Sequence, residues 1–169
     1  MTEKYSSKDL QKWLFEKALN ASAPKARKLL LASDQRGREN ALIGKLYFFK
    51  YDPKGKAYLP KYDKFPMAFP IEAYQDGFLG INLHYLNVRQ RQALVGELIK
   101  FANDKKLDEN TKLKLSYDLL QGSKRLHNLS TPCIKRYLFN HCRSQFIEIF
   151  IDEYDKAIQL PVEDWVFKR

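Results

Sequence analysis

Three groups of residues in this sequence have types and spacing that suit chemistry. The first is Glu72, Asp76 and His84, two carboxylates and an imidazole flanking one hairpin. Such a set could hold magnesium and activate a water, as a nuclease requires. Against that, Asp76 belongs to the turn Gln75-Asp76-Gly77, Glu72 sits on an edge strand facing solvent, and His84 lies between Leu83 and Tyr85 as a packing residue. The second group is Cys133 and Cys142 with His127 and His141, whose spacing matches no zinc finger or ribbon. These cysteines read as free thiols of a reducing compartment. No Walker A, GxGxxG, HExxH, GxSxG or EF-hand motif occurs. The sequence therefore predicts no catalytic residue, no metal site and no cofactor.

The third group is cationic and interleaved with aromatics. Tyr47, Phe48, Phe49, Tyr51, Tyr58 and Tyr62 surround Lys50, Lys54, Lys56, Lys61 and Lys64. Aromatic rings can stack on bases and lysines can meet phosphates, so this stretch is a candidate for sequence-tolerant nucleic-acid contact. On a strand, Tyr47, Phe49 and Tyr51 share one face while Phe48 and Lys50 share the other. One face must be core, and the other is free to meet phosphate. A soluble rim around a small core gives the same pattern. A second basic cluster holds Lys124 and Arg125, then Lys135, Arg136 and Arg143. Lys25, Arg27 and Lys28 are further phosphate candidates or a solvated helix face.

The whole chain supports the polyanion reading. It has 169 residues, 30 of them Lys or Arg against 20 Asp or Glu, for a net charge of +10. That balance favours nucleic acid, an anionic membrane or an acidic protein surface. Toward the C-terminus the sign reverses, with Glu148, Asp152, Glu153, Asp155, Glu163 and Asp164. A basic body with an acidic end suits directional assembly, one end toward a polyanion and the other toward a basic neighbour. No apolar run is long enough to span a membrane, and the first residues lack the apolar segment of a secretory signal.

The elements that must position these groups follow from periodicity. An N-terminal helical arm is predicted over 1–43, with Ser7 capping a first helix and Pro24 opening a second. A single α+β domain is predicted over 44–169. Its strands are predicted at 46–51, 66–74, 78–84, 145–150 and 159–162, with Pro70 marking an edge or a bulge. Its helices are predicted at 87–103, 108–121 and 132–142, the last placing Lys135 and Arg136 away from Leu138. Residues 58–65 read as extended but irregular, and Trp165 and Phe167 as closing core contacts. The expected architecture is a small antiparallel sheet or an SH3-like partial barrel with inserted helices.

Four phrases carry a family resemblance: GKLYFFKYDPKGKAYLPKYDKFP, DGFLGINLHYL, KRYLFNHCRS and LPVEDW, running from Gly44 to Trp165. They resemble small proteins of T-even-like tailed phages of the kind labelled DNA end protector. The resemblance implies a noncatalytic virion protein at the genome end or the head–tail junction, made in the host cytoplasm and shielding DNA from exonuclease. The implied partners are DNA, without sequence preference, and phage structural proteins, with a homo-oligomer or ring as a further expectation. The charge and aromatic pattern also fits a structural subunit of the phage neck or tail baseplate that acts through protein contacts.

Overall fold

The structure, a computed structural model, describes residues 5–20, 45–122, 133–144, 146–160 and 163–167. The predicted second helix, the loop 34–40 and the stretch containing Arg125 lie outside the described residues. Helix α1 spans Ser7–Asn20. Its cap is Ser6, one residue earlier than predicted, whose Oγ accepts from Asp9 N at 3.2 Å. Leu10 drives α1 onto the body and is buried in the main core. Trp13 Nε1 donates to Glu153 Oε1 at 2.9 Å, and Lys17 pairs with the same carboxylate.

Strands β1 (Leu46–Phe48), β3 (Met67–Ala73), β4 (Gly77–Asn82), β5 (Ile134–Leu138) and β6 (Ile147–Ile149) form one antiparallel sheet in the order β5-β4-β3-β1-β6. β2 (Lys61–Asp63) and β7 (Trp165–Phe167) pair separately. The architecture is α+β, and among the described residues the sheet is open and forms no closed barrel. Pro70 marks a bulge, as expected, yet β3 is an inner strand, with a register shift between Pro70 and Glu72. Within β3, only Met67 and Ala68 pair with β1, so β1 has ended before Pro70 would have to donate a ladder hydrogen bond to it.

The remaining described α-helices are α2 (Val88–Asn103), α3 (Glu109–Gly122) and α4 (Tyr154–Gln159). Asn87 and Gln90 form a reciprocal capping box at the start of α2, and Asp108 accepts from Thr111 N at 2.7 Å to start α3. Val95 and Leu98 bury the inner stripe of α2. Arg91 goes inside with them, donating to Leu83 O, Leu86 O and Glu163 Oε1 at 2.7, 3.0 and 2.6 Å. A buried guanidinium is tolerated because its donors are used.

Two predicted elements are wrong. Where a helix is predicted over 132–142, the described residues form strand β5 at Ile134–Leu138 followed by a 3-10 turn at Phe139–His141, and residue 132 lies outside the described set. Ile134, Tyr137, Leu138 and His141 fit a helical stripe, but β4 exposes an edge whose backbone groups need a partner, and β5 supplies it. Gly77 permits the approach, since a Cβ there would lie 1.9 Å from Tyr137 O. The described part of the predicted strand at 159–162 is not strand either. Gln159 ends α4, Leu160 caps it, and the terminal strand is β7, paired with a β2 formed inside the stretch predicted as irregular. Residues 161 and 162 lie outside the described set.

Candidate nucleic-acid interface

The cationic candidates come from two stretches far apart in sequence, and the backbone joins them. Tyr51 N donates to Lys64 O at 2.8 Å, Arg143 N to Lys50 O at 2.9 Å, and Asp52 N to His141 O at 3.0 Å. Lys50 N donates to Ser144 Oγ at 2.7 Å, and Leu138 N donates to Tyr51 Oη at 3.0 Å. Loop 50–64 is thereby laced to segment 135–144. Lys50, Lys54, Lys56, Lys61, Lys64, Lys135, Arg136 and Arg143 all lie on these two laced stretches, and Arg125 is outside the described residues.

Their surroundings differ. Asp52 lies between Lys56 at 3.0 Å and Arg143 at 3.7 Å. The Lys56 hydrogen bond, with both nearby charges, holds the Asp52 carboxyl below its usual range. Arg136 pairs with Asp76 at 2.5 Å and lies 3.7 Å from the Tyr74 ring centroid. Lys50, Lys54 and Lys64 are exposed. Lys61 and Lys135 instead flank a cleft of about 230 Å³, with Tyr51, Leu59, Tyr62 and Tyr85 among its walls. Lys135 Nζ is 4.2 Å and Lys61 Nζ 5.8 Å from the centroid of the Tyr85 ring. Burial pushes the Lys135 ammonium below the ordinary lysine range, and the Lys61 charge adds to that.

The aromatic half of the expectation needs correction. Tyr47, Phe48, Phe49 and Tyr51 are all buried, so they have no ring face to offer a base. Both faces of residues 46–49 are buried, Leu46 and Phe48 in the helix-backed core and Tyr47 and Phe49 in a second, aromatic cluster. Tyr58 is 88% exposed, and Tyr62 is half-buried in the cleft wall. Phe167 is exposed rather than core, while Trp165 meets Tyr85 edge-on at 4.7 Å. Tyr85, Trp165 and Tyr74 were not read as part of the site. Nothing in their spacing marks them, because β2–β7 pairing and the β3–β4 turn bring them to the lysines and to Arg136.

The nuclease set does not assemble. Asp76 precedes β4 and His84 follows it, so a six-residue strand of roughly 20 Å separates them. His84 is buried, its Nδ1 lying 2.5 Å from Asp63 Oδ2. Asn82 Nδ2 and Phe65 N also donate to that carboxylate, each at 3.0 Å. Among the described residues no cluster of His, Cys, Asp and Glu could hold a metal ion. Burial pushes the Cys142 thiol up to about 12 and raises Cys133 as well, so neither thiol is activated.

The model of the family described as phage T4 terminal DNA protecting protein matches residues 17–169. The chain belongs to this family. The match takes in every candidate cation and reaches N-terminally beyond Gly44 into the last turn of α1. No curated protein and no solved structure gives a significant match. Among the described residues, no helix is long and apolar enough to cross a membrane.

Proposed function

We propose that this protein is a noncatalytic phage virion protein that binds the ends of the packaged genome and shields them from exonuclease. One observation carries the proposal within the family: two separate basic stretches are laced into one, on a scaffold whose described residues hold no metal-binding cluster and whose two thiols are raised by burial. Lysines and arginines neutralise backbone phosphates without reading bases. The body then blocks access sterically. The candidate contacts are Lys50, Lys54, Lys56, Lys61, Lys64, Lys135, Arg136 and Arg143, with Arg125 as a further one by sequence. Its place would be the virion, at the genome end or head–tail junction, reached from the host cytoplasm during assembly, with phage structural proteins or further copies of itself as neighbours.

The test compares linear duplex with covalently closed circles of the same sequence. Binding should favour linear DNA, vary little with sequence and weaken with salt. Lys50, Lys54, Lys61, Lys64 and Lys135 have no acidic partner among the described residues. If they carry the contact, log affinity should fall against log salt with a slope of about −4 to −5. Exonuclease digestion of the linear DNA should slow in proportion to occupancy. Salt-independent binding, or none at low salt, would sink the proposal. The alternative is a neck or baseplate subunit acting through protein contacts. It draws on Phe150 and Ile151, 53% and 39% exposed at the end of β6, and would win if the protein ignored DNA but joined tail parts.

A further inference from the structure

The cleft between Lys61 and Lys135 has features that general backbone binding does not need. Two ammonium groups sit over the same tyrosine ring, and Lys61 also lies 5.2 Å from the Trp165 ring centroid. Neither lysine has a carboxylate partner among the described residues. The one acidic side chain in the wall, Asp63, is already committed: Phe65 N occupies Oδ1, and Asn82 and His84 occupy Oδ2. Two like charges are thus held near each other and partly desolvated, neither ion-paired among the described residues, which favours an anion between them. Lys135 is fixed by β5 pairing with Gly80 of β4, and Lys61 by β2 pairing with Phe167 of β7. The separation of the charges is therefore set by strands rather than by a mobile loop.

The size and walls narrow the choice of anion. About 230 Å³ is far more than one water needs, and too little for a length of duplex. Tyr62 and Tyr85 offer ring surface beside the charges, as sites for a single base do. An internal phosphodiester carries one negative charge, whereas a phosphomonoester carries about −1.5 to −2 at neutral pH. A paired cation site is matched to the second.

We propose that this cleft binds the terminal phosphomonoester of a nucleic-acid strand, with Lys61 and Lys135 on its oxygens and Tyr62 or Tyr85 against the adjoining base. The inference rests on the reading of the protein as a DNA-end binder and adds what distinguishes an end from the interior of a strand. The remaining cations of the laced stretches then hold the following diesters.

Fluorescence anisotropy with the full chain tests this on blunt duplexes of one sequence bearing 5′-phosphates, 3′-phosphates or only hydroxyl ends. A terminal phosphate on one of the two strand ends should tighten binding by about tenfold, the scale of one added charge-assisted contact. Lys61→Ala should erase most of that preference. Lys135→Met should do the same while keeping the aliphatic stem over Tyr85. Lys50→Ala should weaken all three duplexes equally. Equal binding of the three duplexes would overturn the inference, as would a preference that survives in the Lys61→Ala/Lys135→Met double variant. If equal binding came with continued discrimination against closed circles, end binding would stand and the phosphate cleft would fall. Failure to bind any duplex would remove both. A free mononucleotide that bound as tightly as the phosphorylated duplex would overturn the assignment to strand ends.

Discussion

The two faces of the five-stranded sheet are built from the same strands and serve different ends. On one face Leu46, Met67, Phe69, Ile71 and Ile81 pack with Leu10, Val95 and Leu98 from α1 and α2. On the other, Tyr47, Phe49, Tyr51, Phe78 and Tyr137 pack with Phe139, Cys142 and Phe146 from the segment between β5 and β6. Phe49 stacks on Phe146 at 4.5 Å and meets Tyr137 edge-on at 5.3 Å. The first face is covered by helices that satisfy their own backbone. The second is covered by irregular chain, whose polar groups need partners, and tyrosine suits it because it fills volume and carries a hydroxyl. Tyr51 does both, and the basic segments are anchored through it. The basic segments are thus anchored to the aromatic face through Tyr51, while Tyr85 in the cleft wall packs against the helix-covered core.

Large-to-small substitutions should set the two faces apart most visibly. Phe69 is fully buried on the helix-covered face and meets Tyr154 edge-on at 5.7 Å. Phe69→Ala should cost about 3–5 kcal/mol in urea unfolding. The DNA affinity of the protein that remains folded should not change. Phe49→Ala should cost a similar amount and also weaken DNA binding, because Phe49 packs on Tyr51 and Tyr137. Equal effects of the two variants on binding would show that the faces are not separable.

The helix-covered face was the easier one to read from sequence. The stripe of α2 is a local signal, and helices lie where periodicity predicts them at 87–103 and 108–121. The alternation in Tyr47 to Tyr51 was visible too, but alternation shows only that two faces exist. Whether the second is wet depends on chain from elsewhere, here Phe139, Cys142 and Phe146. β5 failed as a prediction for the same reason, since its strand conformation is imposed by the edge of β4. The site was legible as charge and illegible as shape. Lys61, Lys135 and Arg136 could each be named, whereas their gathering around Tyr85 and Tyr74 depends on pairings between distant strands.

Acid should sharpen the comparison, because two of the partly buried, depressed carboxylates brace the helix-covered side. Burial alone would raise the Glu153 carboxyl, but hydrogen bonds from Lys17, Trp13 and Phe150 N outweigh it and leave the group below the usual range. Glu163 has the same balance, with Arg91 supplying the leading hydrogen bond against burial. A carboxyl depressed in the folded state stabilises fully above its unfolded value and loses that contribution as pH falls through its folded value. Stability should therefore hold down to about pH 5 and then decline, by about 1–2 kcal/mol for the two groups together, a modest figure because both are partly hydrated. Urea midpoints from pH 7 to pH 3 would show it. Lys17→Met should flatten part of the decline by removing one reason for the depressed Glu153. A decline of the same size in that variant would place the acid sensitivity elsewhere.

The smallest effect tests whether the aromatic face positions cations or touches DNA itself. Tyr51→Phe keeps the ring against Phe49 and Tyr137 and removes only the oxygen that accepts from Leu138 N. An orphaned, half-buried amide should cost about 1 kcal/mol. Leu138 ends the strand that carries Lys135 and Arg136, so the lost bond should also raise hydrogen exchange at that amide and loosen the cleft. DNA affinity should then fall by about twofold, the share of a positioning group, with no change in salt slope because no phosphate contact is lost. Exchange at Leu138 is the deciding measurement. If it stays slow while affinity falls as far as in Lys135→Met, the Tyr51 hydroxyl meets the nucleic acid directly. The aromatic face would then be part of the binding surface and not the scaffold beneath it.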